Sequence, residues 1–539
     1  METWWPLHPA LLLTVLLVLY RATTSSWRRG HRCLPPGPRG LPLVGNILDT
    51  RDMTHQGLAR LAARYGGLLY LRVGRLRTVV VSTPEMARLV LQTNDRAFAN
   101  RPASEAIAYL TYGRADMVFA QYGPFWRELR KLCTHRLFSH RRAASRAAVH
   151  DEVENLVREV ARSAGSVVDL GELAFGLSMN ITLRAALGMR NEGEDAAEFI
   201  AIVKEFAELF VVSDSTVADY VPWAAWLDLQ GTRRRMVAAR AALDRFIDRA
   251  IDEHLAHPNP VHAADADMVD GMLAFLPGPG STEPSGRRDG STLRVTRDNI
   301  KATIMVYSTI HITCQIFISL QNDRRQRVQD VMIGGTGAIA MVIEWLMSEL
   351  MRNPEEMKLV QGELAEVVGL HRQVEAGDLD SLPYLRCAVK ETLRVHPPGP
   401  LLQHEAAEDC DVAGYRVPKN TRVLINVWAI GRDASAWKDP DEFRPSRFAA
   451  GADEAETDYR GGHFHLLPFG SGRRSCPAMQ LGMDAAEMAL ARLLHDFEWS
   501  LPAGMVPEDL DMEEAYGATA PRKVRLSAVP VPRLSCAVV

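Results

Sequence analysis

Phe469-Gly470-Ser471-Gly472-Arg473-Arg474-Ser475-Cys476 is the stretch on which the reading of this chain turns. It ends a glycine- and arginine-rich loop in one cysteine, just before a helix-like run from Met479 to Leu494. Glycines let a backbone come close to a flat ring and to a sulfur, and amide N–H groups aimed at that sulfur tune its potential. A cysteine so placed looks like an axial thiolate to haem iron. Such ligation pushes electron density toward the metal and favours O–O cleavage, the step that distinguishes a monooxygenase. A lone cysteine in a large protein is ordinarily an inert buried thiol, so the reading depends on what accompanies it.

Working outward, the run Tyr384 to Val395 predicts a helix ended by Pro397-Pro398. Within it Glu391 and Arg394 are three apart and share a face. An exposed pair of that kind stabilises by only roughly a few tenths of a kcal/mol. Trp126 and Arg130, four apart, also share a helix face; alone, Trp126 reads as a core aromatic.

Together these features resemble the cytochromes P-450. Phe469, Gly472, Arg474 and Cys476 stand at the spacing of that family's haem-binding signature, and Glu391-Thr392-Leu393-Arg394 is similar to its ExxR pair. Phe443-Arg444-Pro445-Ser446-Arg447-Phe448 resembles the segment whose arginine, here Arg447, completes a buried triad with that pair. The resemblance implies a mostly α fold with small β regions, haem b as cofactor, and Cys476 as its protein ligand. It gives the triad a folding and haem-retention role. It also implies that Trp126 and Arg130 hold a haem propionate, a role that suits an indole N–H beside the fixed donor fork of a guanidinium. Arg474 is a second propionate candidate. NADPH-cytochrome reductase is the implied electron donor and O₂ the co-substrate, with Arg127, Arg130, Lys131 and Arg473 as candidates for a positive docking face.

Finer stretches resemble the plant ferulate/coniferaldehyde 5-hydroxylases of lignin synthesis. They are Tyr109 to Met117, Tyr122 to Arg127, Leu401 to Glu405, Ser475 to Gly482 and Tyr516 to Arg522. That implies 5-hydroxylation of guaiacyl phenylpropanoids, with a planar phenolic substrate touching Tyr109, Tyr112, Pro398, Leu401, Leu402, His404 and Ala518. His404 has a second possible place at the haem edge. Apolar and aromatic walls with few polar groups suit such a ring. A flavonoid or other phenylpropanoid hydroxylase would have the same fold and chemistry.

Composition agrees with a packed enzyme. Hydrophobic residues make up 47% and charged residues 24% of 539, and a net charge of −4 gives no basic excess for nucleic acid. Seven scattered cysteines form no paired framework, which suits a reducing compartment. Trp4 to Tyr20 is apolar apart from His8 and Thr14, and Arg21, Arg28, Arg29 and Arg32 follow it. The basic cluster on the C-terminal side predicts a retained anchor over 1–30 with the body on the cytosolic face, and the resemblance places it in the endoplasmic-reticulum membrane. Pro35-Pro36-Gly37-Pro38 is similar to the family's hinge after its anchor, leaving 31–539 as one haem-thiolate domain. Gly57 to Tyr65 reads as a helix, Leu68 to Gly74 and Thr78 to Val81 as two strands, and Pro277 to Gly286 as an exposed linker.

The centre of the chain departs from the family. Asp298 to Met305 resembles the start of the long helix over the haem, which should continue into Asp330-Val331-Met332-Ile333-Gly334-Gly335-Thr336. Residues 306–329 intervene, an insert of 24 whose first half favours β structure and whose second half is polar. An insert opening in Val and closing in Gln is what an in-frame retained intron could look like, with a genuine loop insertion as the alternative. The family's oxygen-activation motif then falls on Gly334 to Ala338, with Thr336 at its variable position. Gly337 stands where the acid belongs and Ala338 where the alcohol belongs. Proton delivery to reduced oxygen needs such groups, so a second reading is a protein that binds haem and substrate yet turns over poorly. Ala478, where the signature has a second glycine, is a gentler change if its φ is negative.

Overall fold

Thr54 begins the first long helix by accepting the Gly57 N–H at 2.9 Å, so α1 runs His55–Tyr65 and buries His55, Leu58 and Ala62. The computed structural model describes residues 34–41, 45–46, 53–74, 76–137, 143–189, 193–213, 231–257, 267–276, 295–312, 337–515 and 519–534. After α1 come β1 Leu68–Val73 and β2 Leu76–Val81, antiparallel and paired Leu68 to Val81. The long helices that follow are α2 Pro124–Leu132, α3 Ala143–Arg162, α4 Leu170–Leu187, α5 Glu194–Ser213, α6 Thr232–Ala256, α7 Arg297–Ile312, α8 Ala338–Arg352, α9 Pro354–Val367, α10 Pro383–Val395 and α11 Met479–Asp496. The mostly helical class with small β regions, expected from sequence, is the one the chain adopts.

The strands sit at the edges of this helical body. β1, β2, β7 (Arg422–Asn426) and β4 (Leu401–Glu405) form one sheet in the order β1-β2-β7-β4, in which only β2 and β7 are parallel. A second sheet orders β3 (Val168–Asp169), β9 (Ser527–Pro532) and β8 (Phe497–Ser500), and β5 (Cys410–Val412) pairs with β6 (Tyr415–Val417).

Helix α4 is apolar around most of its circumference, leaving Glu172, Asn180 and Arg184 on the side it does not bury, and is capped by Asp169 and stopped by Gly188 at φ 66°. It packs with α3, α8 and α11 into the largest core, to which Leu177, Ile343, Leu346, Leu490 and Leu494 contribute. A second core joins α4, α5, α6 and α7 through Phe199, Phe206, Phe246, Ile300 and Ile304.

Three sequence expectations need correcting or placing. No helix among the described residues is long and apolar enough to cross a membrane. The single-pass anchor over 1–30 and the endoplasmic-reticulum membrane assignment are therefore withdrawn; residues 1–30 themselves lie outside the described residues. The first residues of the insert are not β: Val306 to Ile312 continue α7 as helix, with Val306 and Ser308 buried. A helix already packed on all sides overrides the weak strand preference of Val, Ile and Thr. Residues 313–329 of the insert, Thr336 and the stretch 277–286 lie outside the described residues.

Candidate active site

The cysteine loop is shaped by two left-handed glycines, Gly470 at φ 71° and Gly472 at φ 68°. A side chain on Gly472 would meet Leu91 O at 2.6 Å and Asp95 Oδ1 at 2.9 Å, so the position admits only glycine. The turn brings the Cys476 N–H onto Phe469 O at 2.9 Å, and Phe469 packs against the main core beside Tyr459. Ala478 adopts φ −101°, so its methyl adds no backbone strain. Cys476 lies deep in the molecule yet keeps accessible surface, which means that the thiol faces an internal space. Burial pushes that thiol up, while the Ala478 N–H and the Arg130 charge pull it back. A metal bound there would stabilise the thiolate outright.

Beside the thiol lies a group of buried arginines. Arg130 Nη2 donates to Ser475 O at 2.6 Å. Arg474 donates to Ala99 O at 2.6 Å, to Met117 O at 3.1 Å and to Val118 O at 3.3 Å, and also to Ala120 O. Arg101 donates to Gln403 O and, at 3.4 Å, to Arg474 O, while its buried Nε has no partner. Burial lowers all three, and repulsion from neighbouring arginines adds to it for Arg101, to about 10, and Arg474, to about 9. Among the described residues none of the three is ion-paired with a carboxylate. So much buried positive charge calls for an anion. A flat macrocycle bearing two carboxylates and a thiolate-seeking metal fits these residues, and haem is such a group.

Sequence reasoning missed Arg101. Its neighbours give the only local hint: Pro102 holds the stretch extended, and Asn100 bridges to Glu405, carrying Arg101 to the strand of His404. Trp126 is placed beside these arginines. Its indole N–H is taken by Met117 O at 2.9 Å, and its ring instead lies 4.3 Å from the Arg474 guanidinium and 5.7 Å from that of Arg130. Arg130 itself turns inward, so it leaves the proposed docking face, and Arg473 is committed to Asp95 and Tyr122. Arg127 and Lys131 remain exposed.

Glu391, Arg394 and Arg447 meet in one buried cluster. Arg394 grips Glu391 with two bonds of 2.8 Å, and Arg447 Nε reaches Glu391 Oε1 at 3.0 Å. The remaining donors hold main-chain oxygens: Arg394 those of Gly431, Pro440 and Glu442, and Arg447 those of Lys438, Asp439 and Glu442. Gly431 is obligatory there, since a Cβ would sit 2.4 Å from Arg394 O.

The substrate candidates divide. Pro398 is buried and its carbonyl accepts the Ala520 N–H at 3.2 Å, joining the segment after α10 to the C-terminal segment. Ala518 lies outside the described residues. On β4 alternate residues face opposite ways. Leu402 points to the cysteine loop, 3.3 Å from where a Cβ on Gly470 would stand, whereas Leu401 packs against α1 and is corrected out of the substrate set. His404 shares the face of Leu402. Burial and the charges of Arg101 and Arg474 depress it to about 3, and its Nδ1 meets Phe98 O at 2.9 Å, so it belongs to the arginine group. Tyr109 is 39% exposed and lies under Arg240, and the Tyr112 hydroxyl donates to Asp244 on α6 at 2.8 Å. Tyr109 thus lies on the outer face of its short helix, while Tyr112 is half-buried against the second core. A left-handed turn over Tyr112, Gly113 and Arg114, at φ 55°, 77° and 65°, follows that helix.

Gly337 caps α8 with its backbone alone and Ala338 is the first helical residue. Neither carries a polar side-chain atom. On α7, Tyr307 is deeply buried within reach of the Cys476 charge.

The sequence profile described as Cytochrome P450 matches residues 35–308 and 320–527, so its break falls inside the insert. Cytochrome P450 84A1 of Arabidopsis thaliana is 48% identical over 98% of this chain and 97% of its own length. Cytochrome P450 84A4 of the same plant is 46% identical over 98% of each chain. A solved zebra fish cytochrome P450 with progesterone superposes with a TM-score of 0.70 at 24% identity, covering 89% of this chain and 99% of that one, a likeness of fold. The chain belongs to the cytochrome P450 family.

Proposed function

We propose that this protein hydroxylates the 5-position of guaiacyl phenylpropanoids, namely coniferaldehyde, coniferyl alcohol or ferulate, toward syringyl lignin. The observation that carries this reading is the match to two plant cytochromes P450 over 98% of the chain at 48% and 46% identity. It is supported by the stretches Leu401 to Glu405 and Ser475 to Gly482, which resemble the 5-hydroxylases of lignin synthesis.

Haem b, when bound, supplies the oxygen-activating chemistry, and NADPH provides the electrons through a cytochrome reductase. The chain's residues provide the setting. Cys476 would ligate the iron, with Arg101, Arg130 and Arg474 facing the carboxylates. Glu391, Arg394 and Arg447 hold the segment leading to that loop, and Phe469 and Gly472 shape it. Pro398 and Leu402 would offer apolar wall to a planar phenol. Arg127 and Lys131 would offer positive charge to an acidic reductase. Gly337 and Ala338 provide no side chain that holds or passes a proton, and this favours a second reading in which binding survives but electrons leak to peroxide.

The test is a reduced carbon-monoxide difference spectrum of the full chain, then turnover with reductase and NADPH. A thiolate-type Soret band and a 5-hydroxylated product from coniferaldehyde are expected. A thiolate band with product only from flavonoids would replace the substrate class. A band with peroxide and no phenolic product from any substrate would establish the second reading.

A further inference from the structure

Asp116 is wholly buried, 0% exposed, and no functional reading so far uses it. One carboxylate oxygen, Oδ1, accepts the N–H groups of Val118 at 2.6 Å and Phe119 at 2.9 Å, which folds residues 116–119 into a tight turn. The carbonyls that this turn and its flanks present are all used. Met117 O receives Trp126 Nε1 at 2.9 Å and Arg474 Nη1 at 3.1 Å, and Val118 O receives Arg474 at 3.3 Å. Ala120 O receives the other end of the same guanidinium, and Ala115 O receives Asn299 Nδ2 from α7 at 2.9 Å. One short turn therefore fixes Trp126 of α2, Arg474 of the cysteine loop and the start of α7. The second oxygen, Oδ2, is buried with no hydrogen-bond partner.

We propose that Asp116 is a positioning residue for the haem carboxylates, with its Oδ1 building the turn that aims Arg474 and its Oδ2 supplying the negative charge that offsets the arginine group. The inference rests on the reading that haem binds at Cys476. An isolated buried carboxylate is costly, and retaining one beside buried guanidiniums makes sense where its charge is used. The charged groups facing Asp116 are Arg474 from the cysteine loop and, behind it, the Cys133 thiol from the turn after α2. Burial raises the carboxyl to about 6, against the pull of its backbone amides and of Arg474, so its charge develops around neutrality.

Asp116→Ala and Asp116→Asn separate the two oxygens' roles in the full-length haem-loaded protein. Asparagine keeps an acceptor for both amides and removes the charge; alanine removes both. In Asp116→Ala, haem is expected to leave for apomyoglobin about tenfold faster or more, the loss of a bond to a charged group. In Asp116→Asn, haem release stays near the parent rate. Its reduction potential lies above the parent's at pH 8, and the fall in potential that the parent shows as pH rises through about 6 is absent. A parent-like potential and pH profile in Asp116→Asn would overturn the charge role. Parent-like haem release in Asp116→Ala would overturn the positioning role. A parent protein with no thiolate band would instead sink the haem site, before Asp116 is reached.

Discussion

The cysteine loop and the start of α8 differ in the polar side chains they offer. Around Cys476 and Glu391 guanidiniums gather, and Arg394, Arg447 and Arg474 have every nitrogen on a named acceptor. At the start of α8, Gly337 caps the helix with backbone only and Ala338 adds a methyl. One side is over-determined by charge-assisted bonds; the helices of the other carry ion pairs of their own, Lys301 with Asp244 and Asp248 and Glu349 with His396, but no polar side chain at Gly337 or Ala338. The contrast teaches that holding a cofactor and feeding it protons are separable demands. A chain can keep the first while its second is altered.

The largest expected effect comes from removing the one feature on which the cysteine side depends. Cys476→Ala abolishes the thiolate-type spectrum and all hydroxylation; a surviving band would assign the ligand to another cysteine and dissolve the contrast. Next is Glu391→Ala, which leaves Arg394 and Arg447 as buried charges without their shared carboxylate. Breaking a buried pair costs roughly 3–5 kcal/mol. Haem content after purification should therefore collapse, and a haem-replete, fully active variant would show that the cluster is dispensable. The smallest effect comes from the insert and the start of α8. Deleting residues 306–329 should raise haem occupancy and leave coupling poor. Adding Gly337→Glu and Ala338→Thr to the deletion should then raise product per NADPH and lower peroxide release several-fold, a fraction of the roughly 10²–10⁴-fold that a positioned general acid contributes. Equal coupling in the two deletions would show that other groups relay protons.

Much of the cysteine side was legible in the sequence because its residues sit within short local patterns. Glu391 and Arg394 lie on one turn of helix, and Gly470 to Cys476 form one loop, so spacing alone brings them together. Arg101 was not legible. It reaches the site through a long-range bridge between Asn100 and Glu405, and no local period marks it. The bond from Tyr112 to Asp244 was hidden for a different reason. It follows a left-handed turn at Tyr112 and Arg114, which neither residue type signals. Leu401 was misplaced by one step of strand alternation, the error to which a short strand is most prone. In the insert, strand preference at Val306 to Ile312 was overridden by the packing of α7.

Because Arg394 and Arg447 grip main-chain oxygens from Gly431 to Glu442, that segment is recognised as a shape and not as a string of side chains. Identity matters at Trp437, buried beneath both guanidiniums, at Gly431, pressed on Arg394 O, and at Arg432, which donates to Val395 O at 2.6 Å. The exposed side chains of Ala434, Lys438 and Glu442 carry none of the grip. Evolution, or a designer, can rewrite the outer face of this segment freely, so the same clamp that retains the cofactor leaves a variable surface beside it.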